Sequence, residues 1–227
     1  MHIKCDGLTM SYEGKDVISN LSFSIKKGDY LCIVGENGSG KSTLANAILG
    51  LKKPSSGSLF VNADAIGYLP QKTALKKDFP ASVFEVVLSG CIKKSLLPFY
   101  TKAQKKTASY AMEKLGISNL KNVCCRNLSG GQQQRMFLAR ALCAAEDMLL
   151  LDEPVTGLDP VASIEMYEII KELHKKGTTI IMISHDIGHA LKNATHILHL
   201  SESDYFFGSS DEYLKSDLLK SFKGGNL

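Results

Sequence analysis

Gly35-Glu36-Asn37-Gly38-Ser39-Gly40-Lys41-Ser42 is the stretch that decides the fold. It fits the pattern G-x-x-x-x-G-K-[ST] and has the flanks that pattern needs. Tyr30 to Val34 before it is a short apolar run and reads as a buried strand. Lys41 to Leu49 after it reads as a helix, with Gly50 as the C-terminal stop. A strand that turns through glycines into a helix start makes an anion cradle. Glycines let backbone N–H groups turn inward and approach phosphate closely. The helix N-terminus adds partial positive charge. Lys41 places a mobile cation on a nucleotide's β- and γ-phosphates, and the Ser42 hydroxyl can ligate Mg²⁺.

Working outward, strands alternate with helices. Met1 to Leu8 reads as a strand, followed by a polar turn at Tyr12-Glu13-Gly14-Lys15. Val17 to Ile25 alternates apolar and polar residues, so Leu21, Phe23 and Ile25 should share one face. Leu59 to Val61 and Ile66 to Leu69 read as two further strands. Residues from Asp78 to Leu128 hold helical patterns broken by Pro80 and Pro98, with no clear strand, and read as an inserted helical subdomain. A helix is expected from Gln132 to Ala145 and another from Val161 to Lys175. Met148 to Leu151 and Thr178 to Ser184 read as buried strands. The tail beyond Leu200 is short and polar, with no clear assignment. This alternation predicts an α/β domain whose mostly parallel sheet is covered by helices on both faces.

Two strand ends carry chemistry. Met148-Leu149-Leu150-Leu151-Asp152-Glu153 ends an apolar run in two carboxylates, placed where α/β sites form, at the C-terminal edge of the sheet. Asp152 would hold Mg²⁺ and Glu153 would polarise the attacking water as general base. The second strand ends at His185, which could stabilise charge developing on the γ-phosphate or water. His185 and His189 stand four apart, and His196 and His199 three apart. That spacing can bind zinc on a helix, but no third ligand is evident.

Composition excludes several classes. The chain has 227 residues, 44% hydrophobic and 22% charged, with a net charge of +4. This suits one α/β domain with a core large enough to fold without staples. The basic excess is scattered in pairs, at Lys76-Lys77, Lys93-Lys94, Lys105-Lys106 and Lys175-Lys176. No clustered stripe suggests a nucleic-acid partner. The pairs read as solvated helix ends, with contact to an anionic inner membrane leaflet as the second reading. The six cysteines form no C-x-x-C and read as free thiols. Residues Met1 to Asp6 carry no long apolar stretch, so a signal peptide is not expected. No apolar run reaches the roughly 20 residues of a membrane span, so any membrane part must come from other chains.

Leu128-Ser129-Gly130-Gly131-Gln132 lies before a helix, between the phosphate loop and Asp152-Glu153. Together these motifs resemble the ABC ATPases over nearly the whole chain and in the expected order. The resemblance implies a P-loop NTPase core over 1–77 and 129–227, an antiparallel β subdomain, and a helical subdomain over 78–128. It implies that Gly35, Asn37, Gly38, Ser39, Gly40, Lys41, Ser42 and Thr43 hold ATP, with Tyr12 stacking on adenine. Gln71, after Tyr68-Leu69-Pro70, is similar to the glutamine that joins Mg²⁺ and water to the membrane subunit. Ser42, Gln71 and Asp152 would then be the Mg²⁺ ligands. Gly157-Leu158-Asp159 resembles the D-loop, and His185 the switch histidine. Two copies would pair head-to-tail, with Ser129, Gly130, Gly131 and Gln132 of one closing on ATP held by the other. The expected partners are integral membrane permease subunits and a separate solute-binding protein, at the cytoplasmic face of the cell membrane.

Asp78 to Gly90, with the short span between Gly57 and Gln71, resembles the subunits of zinc/manganese-type metal importers. A P-loop kinase or GTPase would not explain Leu128 to Gln132, and the base-reading Asn-Lys-x-Asp of a GTPase is absent. Soluble ABC ATPases of repair or translation usually carry two cores or a long coiled-coil insertion, and 227 residues fit neither.

Overall fold

The computed structural model describes residues 1–12, 14–71, 80–91, 99–145, 147–201, 204–217 and 219. Along the chain run β1 (Ile3–Tyr12), β2 (Lys15–Ile25), β3 (Tyr30–Gly35), α1 (Lys41–Ile48), β4 (Ser56–Val61), β5 (Ile66–Leu69), α2 (Val83–Leu88) and α3 (Lys102–Lys114). Then come α4 (Gly130–Ala144), β6 (Met148–Asp152), α5 (Pro160–Lys175), β7 (Thr179–Ile183), α6 (Ile187–Asn193), β8 (His196–Leu200), β9 (Tyr205–Gly208) and α7 (Ser210–Leu214). They form two compact units, Met1–Ala63 with Gly177–Leu227, and Asp64–Lys176.

The first unit holds an antiparallel sheet in the order β2-β1-β4. Its strands bury one face, as alternation requires: Ile3, Cys5, Leu8 and Met10 from β1, and Leu21, Phe23 and Ile25 from β2 are all buried. β1 runs past Leu8 to Tyr12, longer than its apolar pattern suggests. Hairpin pairing with β2 continues to Tyr12↔Lys15 and satisfies the backbone there. The same unit holds β3 between β7 and β8, parallel to both. Every residue of β3 and β7 is buried, the signature of parallel strands covered on both faces.

The tail departs from the sequence expectation. It forms β9, antiparallel to β8, and then α7. Aromatic residues supply the reason: Phe207 packs on Phe23 at 5.7 Å and Phe206 on Tyr213 at 5.3 Å. Tyr213 is fully buried and its hydroxyl meets His199 Nδ1 at 2.7 Å.

In the second unit β5 and β6 pair in parallel, and α4 packs against β5, α2 and α3. The helices start where side chains reach back to cap them. Ser82, Thr101 and Ser129 each form a capping box with the residue three on. One isolated bridge, Ser82↔Cys124, lies in the stretch read as purely helical. Residues 78 and 79, which begin the expected helical subdomain, lie outside the described residues, as does Pro98. Of the lysine pairs, 76–77 and 93–94 also lie outside them. Lys105-Lys106 are exposed within α3, not at its end, and Lys175 closes α5 beside Glu172 at 2.9 Å. All six cysteines are free thiols.

Gly90 sits in a 3-10 turn pressed against α4. A Cβ there would lie 2.1 Å from the Arg140 carbonyl oxygen and 3.0 Å from Cys143 Cβ. Arg140 Nε also donates to Ser89 Oγ at 3.0 Å. Backbone against backbone cannot give way cheaply. Gly90→Ala is therefore expected to cost about 1–3 kcal/mol, lowering the thermal midpoint by ~2–4 °C per kcal/mol. A melt that matches the parent would show that the turn does not press on α4.

Candidate nucleotide-binding site

In the first unit the phosphate loop leaves β3 and enters α1. The register Ile33↔Ile183 puts the ends of β3 and β7 side by side, and Ser184 N–H donates to the Ile33 carbonyl at 3.1 Å. His185, exposed just beyond β7, thus emerges at the same sheet edge as the loop. Asp186 caps α6 through the His189 N–H at 2.8 Å and fixes the chain direction after His185.

The loop has the form of a cradle. Gly35 has φ 143° and approaches β8 so closely that a Cβ would lie 2.1 Å from the Leu200 carbonyl oxygen. Gly40 has φ 93° and caps α1 without a side-chain hydrogen bond. Lys41 is buried, and its ammonium donates to the carbonyls of Gly35 at 2.8 Å and Glu36 at 2.6 Å. The ammonium is thus folded onto the loop it must serve. Asn37 and Gly38 are exposed, as is Ser42, while Thr43 is half-buried. Ser39 is only 3% exposed, and its Oγ has no hydrogen-bond partner. An orphaned buried hydroxyl, a helix start without a side-chain cap and a buried cation fit a phosphate chain. Tyr12, at the end of β1, is 63% exposed and offers its ring to a flat ligand.

In the second unit the register Leu69↔Leu151 brings three further residues to one edge. Gln71 follows β5, Asp152 ends β6 and Glu153 comes directly after it. Asp152 is 6% exposed. The Tyr68 phenol is raised in pKa by burial first and then by the Asp152 charge. Glu153 has φ 50°, a left-handed conformation for a residue with a side chain, costing about 1–2 kcal/mol. Such strain persists where the surroundings over-determine it, and it clusters at functional sites. Thr156 helps: its Oγ1 donates to Glu153 Oε2 at 2.9 Å and its N–H to the Glu153 carbonyl at 3.2 Å. Nothing in the sequence pattern singled out Thr156, although a hydroxyl three residues past an acid is the available signal.

Ser129 caps α4, accepting from Gln132 N–H at 3.3 Å while its own N–H donates to Gln132 Oε1 at 3.0 Å. Gly130 and Gly131 form the first turn. A cavity of about 540 Å³ opens over them, lined also by Asn119, Asp159 and the ion pair of Arg135 with Glu165. Ser129 to Gln132 and Asp159 are thus brought together, and Arg135 and Glu165 join them without having been foreseen. Among the described residues no cluster of three or more His, Cys, Asp or Glu could hold a metal ion. His189 Nε2 lies 3.4 Å from the Tyr30 hydroxyl.

A sequence profile of ABC transporters matches residues 18–156, more than half of the chain. The chain belongs to the ABC transporter family. This ATPase is 36% identical over 220 residues to a probable metal transport system ATP-binding protein of Chlamydia pneumoniae, covering 93% of this chain and 85% of the relative. It is 35% identical to the manganese transport system ATP-binding protein MntB of Bacillus subtilis, covering 99% and 93% of the two chains. With the zinc uptake system ATP-binding protein ZurA of Listeria innocua it shares 33% identity over 93% and 87%. Among solved structures it superposes on a metal-chelate type ABC transporter in an inward-facing conformation, with TM-score 0.87, 28% identity and coverage of 94% and 85%. It also matches the cassette MJ0796, solved as a post-hydrolysis dimer with ADP and Pi, with TM-score 0.78, 26% identity and coverage of 92% and 98%. The protein is an ATP-binding and ATP-hydrolysing subunit with the α/β P-loop fold of that family. No helix among the described residues is long and apolar enough to cross a membrane.

Proposed function

We propose that this ABC ATPase energises import of a divalent transition metal ion of the zinc/manganese class. The observation that carries the reading is the near end-to-end similarity to MntB, over 99% of this chain and 93% of that one. The similarity to ZurA adds zinc to manganese as candidate cargo. The Asp78 to Gly90 resemblance points the same way, although residues 78 and 79 lie outside the described residues. The ATPase would work at the cytoplasmic face of the cell membrane, held there by permease subunits and supplied by a separate solute-binding protein.

The roles we assign follow the chemistry of each group. Gly35 to Thr43 cradle the phosphates, and Lys41 neutralises their charge. Tyr12 stacks on adenine. Ser42, Asp152 and Gln71 offer a hydroxyl, a carboxylate and an amide oxygen, the hard donors that Mg²⁺ prefers. When bound, Mg²⁺ would neutralise phosphate charge. Glu153 orients water and takes its proton, with Thr156 holding the carboxylate. His185 steadies charge on the γ-phosphate side. Ser129, Gly130, Gly131, Gln132 and Asp159 act on the ATP held by the partner copy. Residues 1–77 and 129–227 serve as the ATP-binding core and 78–128 as the permease-facing helical part.

Deleting the gene should lower cell zinc or manganese, read by elemental analysis under metal limitation. Unchanged metal content with loss of an organic nutrient's uptake would assign another cargo. Co-purification from detergent-solubilised membranes should bring down a polytopic protein. Its absence would favour an ABC ATPase outside transport.

A further inference from the structure

Lys52 Nζ lies 4.6 Å from the centroid of the Tyr12 ring. The contact is built, not incidental. The N–H groups of Leu51 and Lys52 both donate to the Asn46 carbonyl, at 2.8 and 3.2 Å, so the chain folds back over the end of α1. Ser55 then ties the segment to β1: its N–H donates to the Thr9 carbonyl at 2.8 Å and its Oγ accepts from Ser11 N–H at 3.0 Å. These bonds deliver Lys52 to the ring. The neighbouring Lys53 is exposed.

A cation over an aromatic ring occupies one of its two faces. Tyr12 is still 63% exposed, so the opposite face remains open to a flat base. The ammonium draws on the ring's negative quadrupole, which lowers the repulsion that a second π face meets when it stacks. It also fixes the ring against rotation, so less order is lost when the base arrives. α1 begins at the phosphate loop and ends at the segment that carries Lys52, so one helix supports both the phosphate and the base ends of the nucleotide site.

We propose that Lys52 is a positioning residue for the nucleotide base: it backs the Tyr12 ring on one face so that the other presents a pre-oriented platform to adenine. This rests on the reading that Tyr12 stacks on adenine.

The test is calorimetric titration of the full chain with ADP and Mg²⁺, which avoids turnover. Lys52→Met should weaken binding about 2- to 5-fold, the size of an exposed cation–π contact. Lys52→Arg, which keeps a cation on the ring, should restore affinity to within about 2-fold. Lys53→Met, which removes the same charge one residue on, should leave it unchanged. In a Tyr12→Leu background Lys52→Met should have no further effect, because the ring through which it acts is gone. Equal effects of Lys52→Met and Lys53→Met would overturn the proposal. So would an undiminished Lys52→Met effect in the Tyr12→Leu background, which would make Lys52 a direct phosphate attractor. If Tyr12→Leu itself leaves ADP affinity unchanged, the stacking reading falls and takes the proposal with it. If Tyr12→Leu weakens binding while Lys52→Met is silent, only the proposal falls.

Discussion

Glu153→Gln is expected to bind ATP normally, lose at least ~10²-fold in turnover and trap the ATPase as a dimer. The substitution keeps shape and removes basicity. Thr156 Oγ1 donates to Glu153 Oε2 at 2.9 Å, and an amide oxygen accepts that bond as well as a carboxylate does. The left-handed backbone at φ 50° is set by the surroundings and by the Thr156 N–H bond to the residue's carbonyl, so the glutamine inherits it. Only proton acceptance from water is lost. ATP would then hold two copies together without being consumed, and size-exclusion chromatography should show an ATP-dependent dimer that persists. Phosphate release near the parental rate would remove Glu153 from the role of base and pass the search to Asp152 or His185.

The composite site makes the second large expectation. Lys41→Ala should abolish most activity by removing the buried ammonium, and Ser129→Arg should do so by filling the cavity over the first turn of α4. Ser129 is exposed beside that cavity, so an arginine there costs about 0.5–2 kcal/mol for the lost cap of α4 and much in access. In a mixed dimer one site would pair both damaged loops, and the other an intact cradle with an intact Ser129 loop. Random pairing makes about half the dimers mixed, so mixing two inactive variants should return measurable phosphate release. A site completed within one chain would stay damaged in every pairing, and mixing would restore nothing. Crosslinking asks the same question without turnover. Ser39 is a poor anchor because its side chain is buried, whereas Asn37 and Ser129 are exposed. A chain carrying cysteines at both should form dimers on non-reducing gels with ATP and few without it. Intramolecular crosslinks alone would refute the head-to-tail arrangement.

The chemistry readable along the chain lies in short contiguous runs. The phosphate loop, the Asp152-Glu153 strand end and Leu128 to Gln132 each carry their donors within a few residues. Each follows or precedes an element whose period is local, so pattern and site could be read together. The buried strands were legible for the same reason, since β3 and β7 are apolar at nearly every position.

Tertiary structure decided what depends on segments far apart in the chain. Only the β5–β6 register puts Gln71 at the edge that Asp152 and Glu153 occupy, and only the β3–β7 register puts His185 beside the phosphate loop. The length of β1 was set by its partner strand and not by its own apolar residues. The tail looked structureless because its burial comes from aromatic contacts reaching back to Phe23 and His199, which no local period reports. Glu153's left-handed backbone was invisible for a deeper reason: glutamate has no intrinsic preference for it, so only surrounding contacts can impose it. Gly90 is required by a segment far along the chain, since the Arg140 carbonyl leaves no room for a Cβ. The placing of Lys52 on the Tyr12 ring likewise joins segments that no local period links.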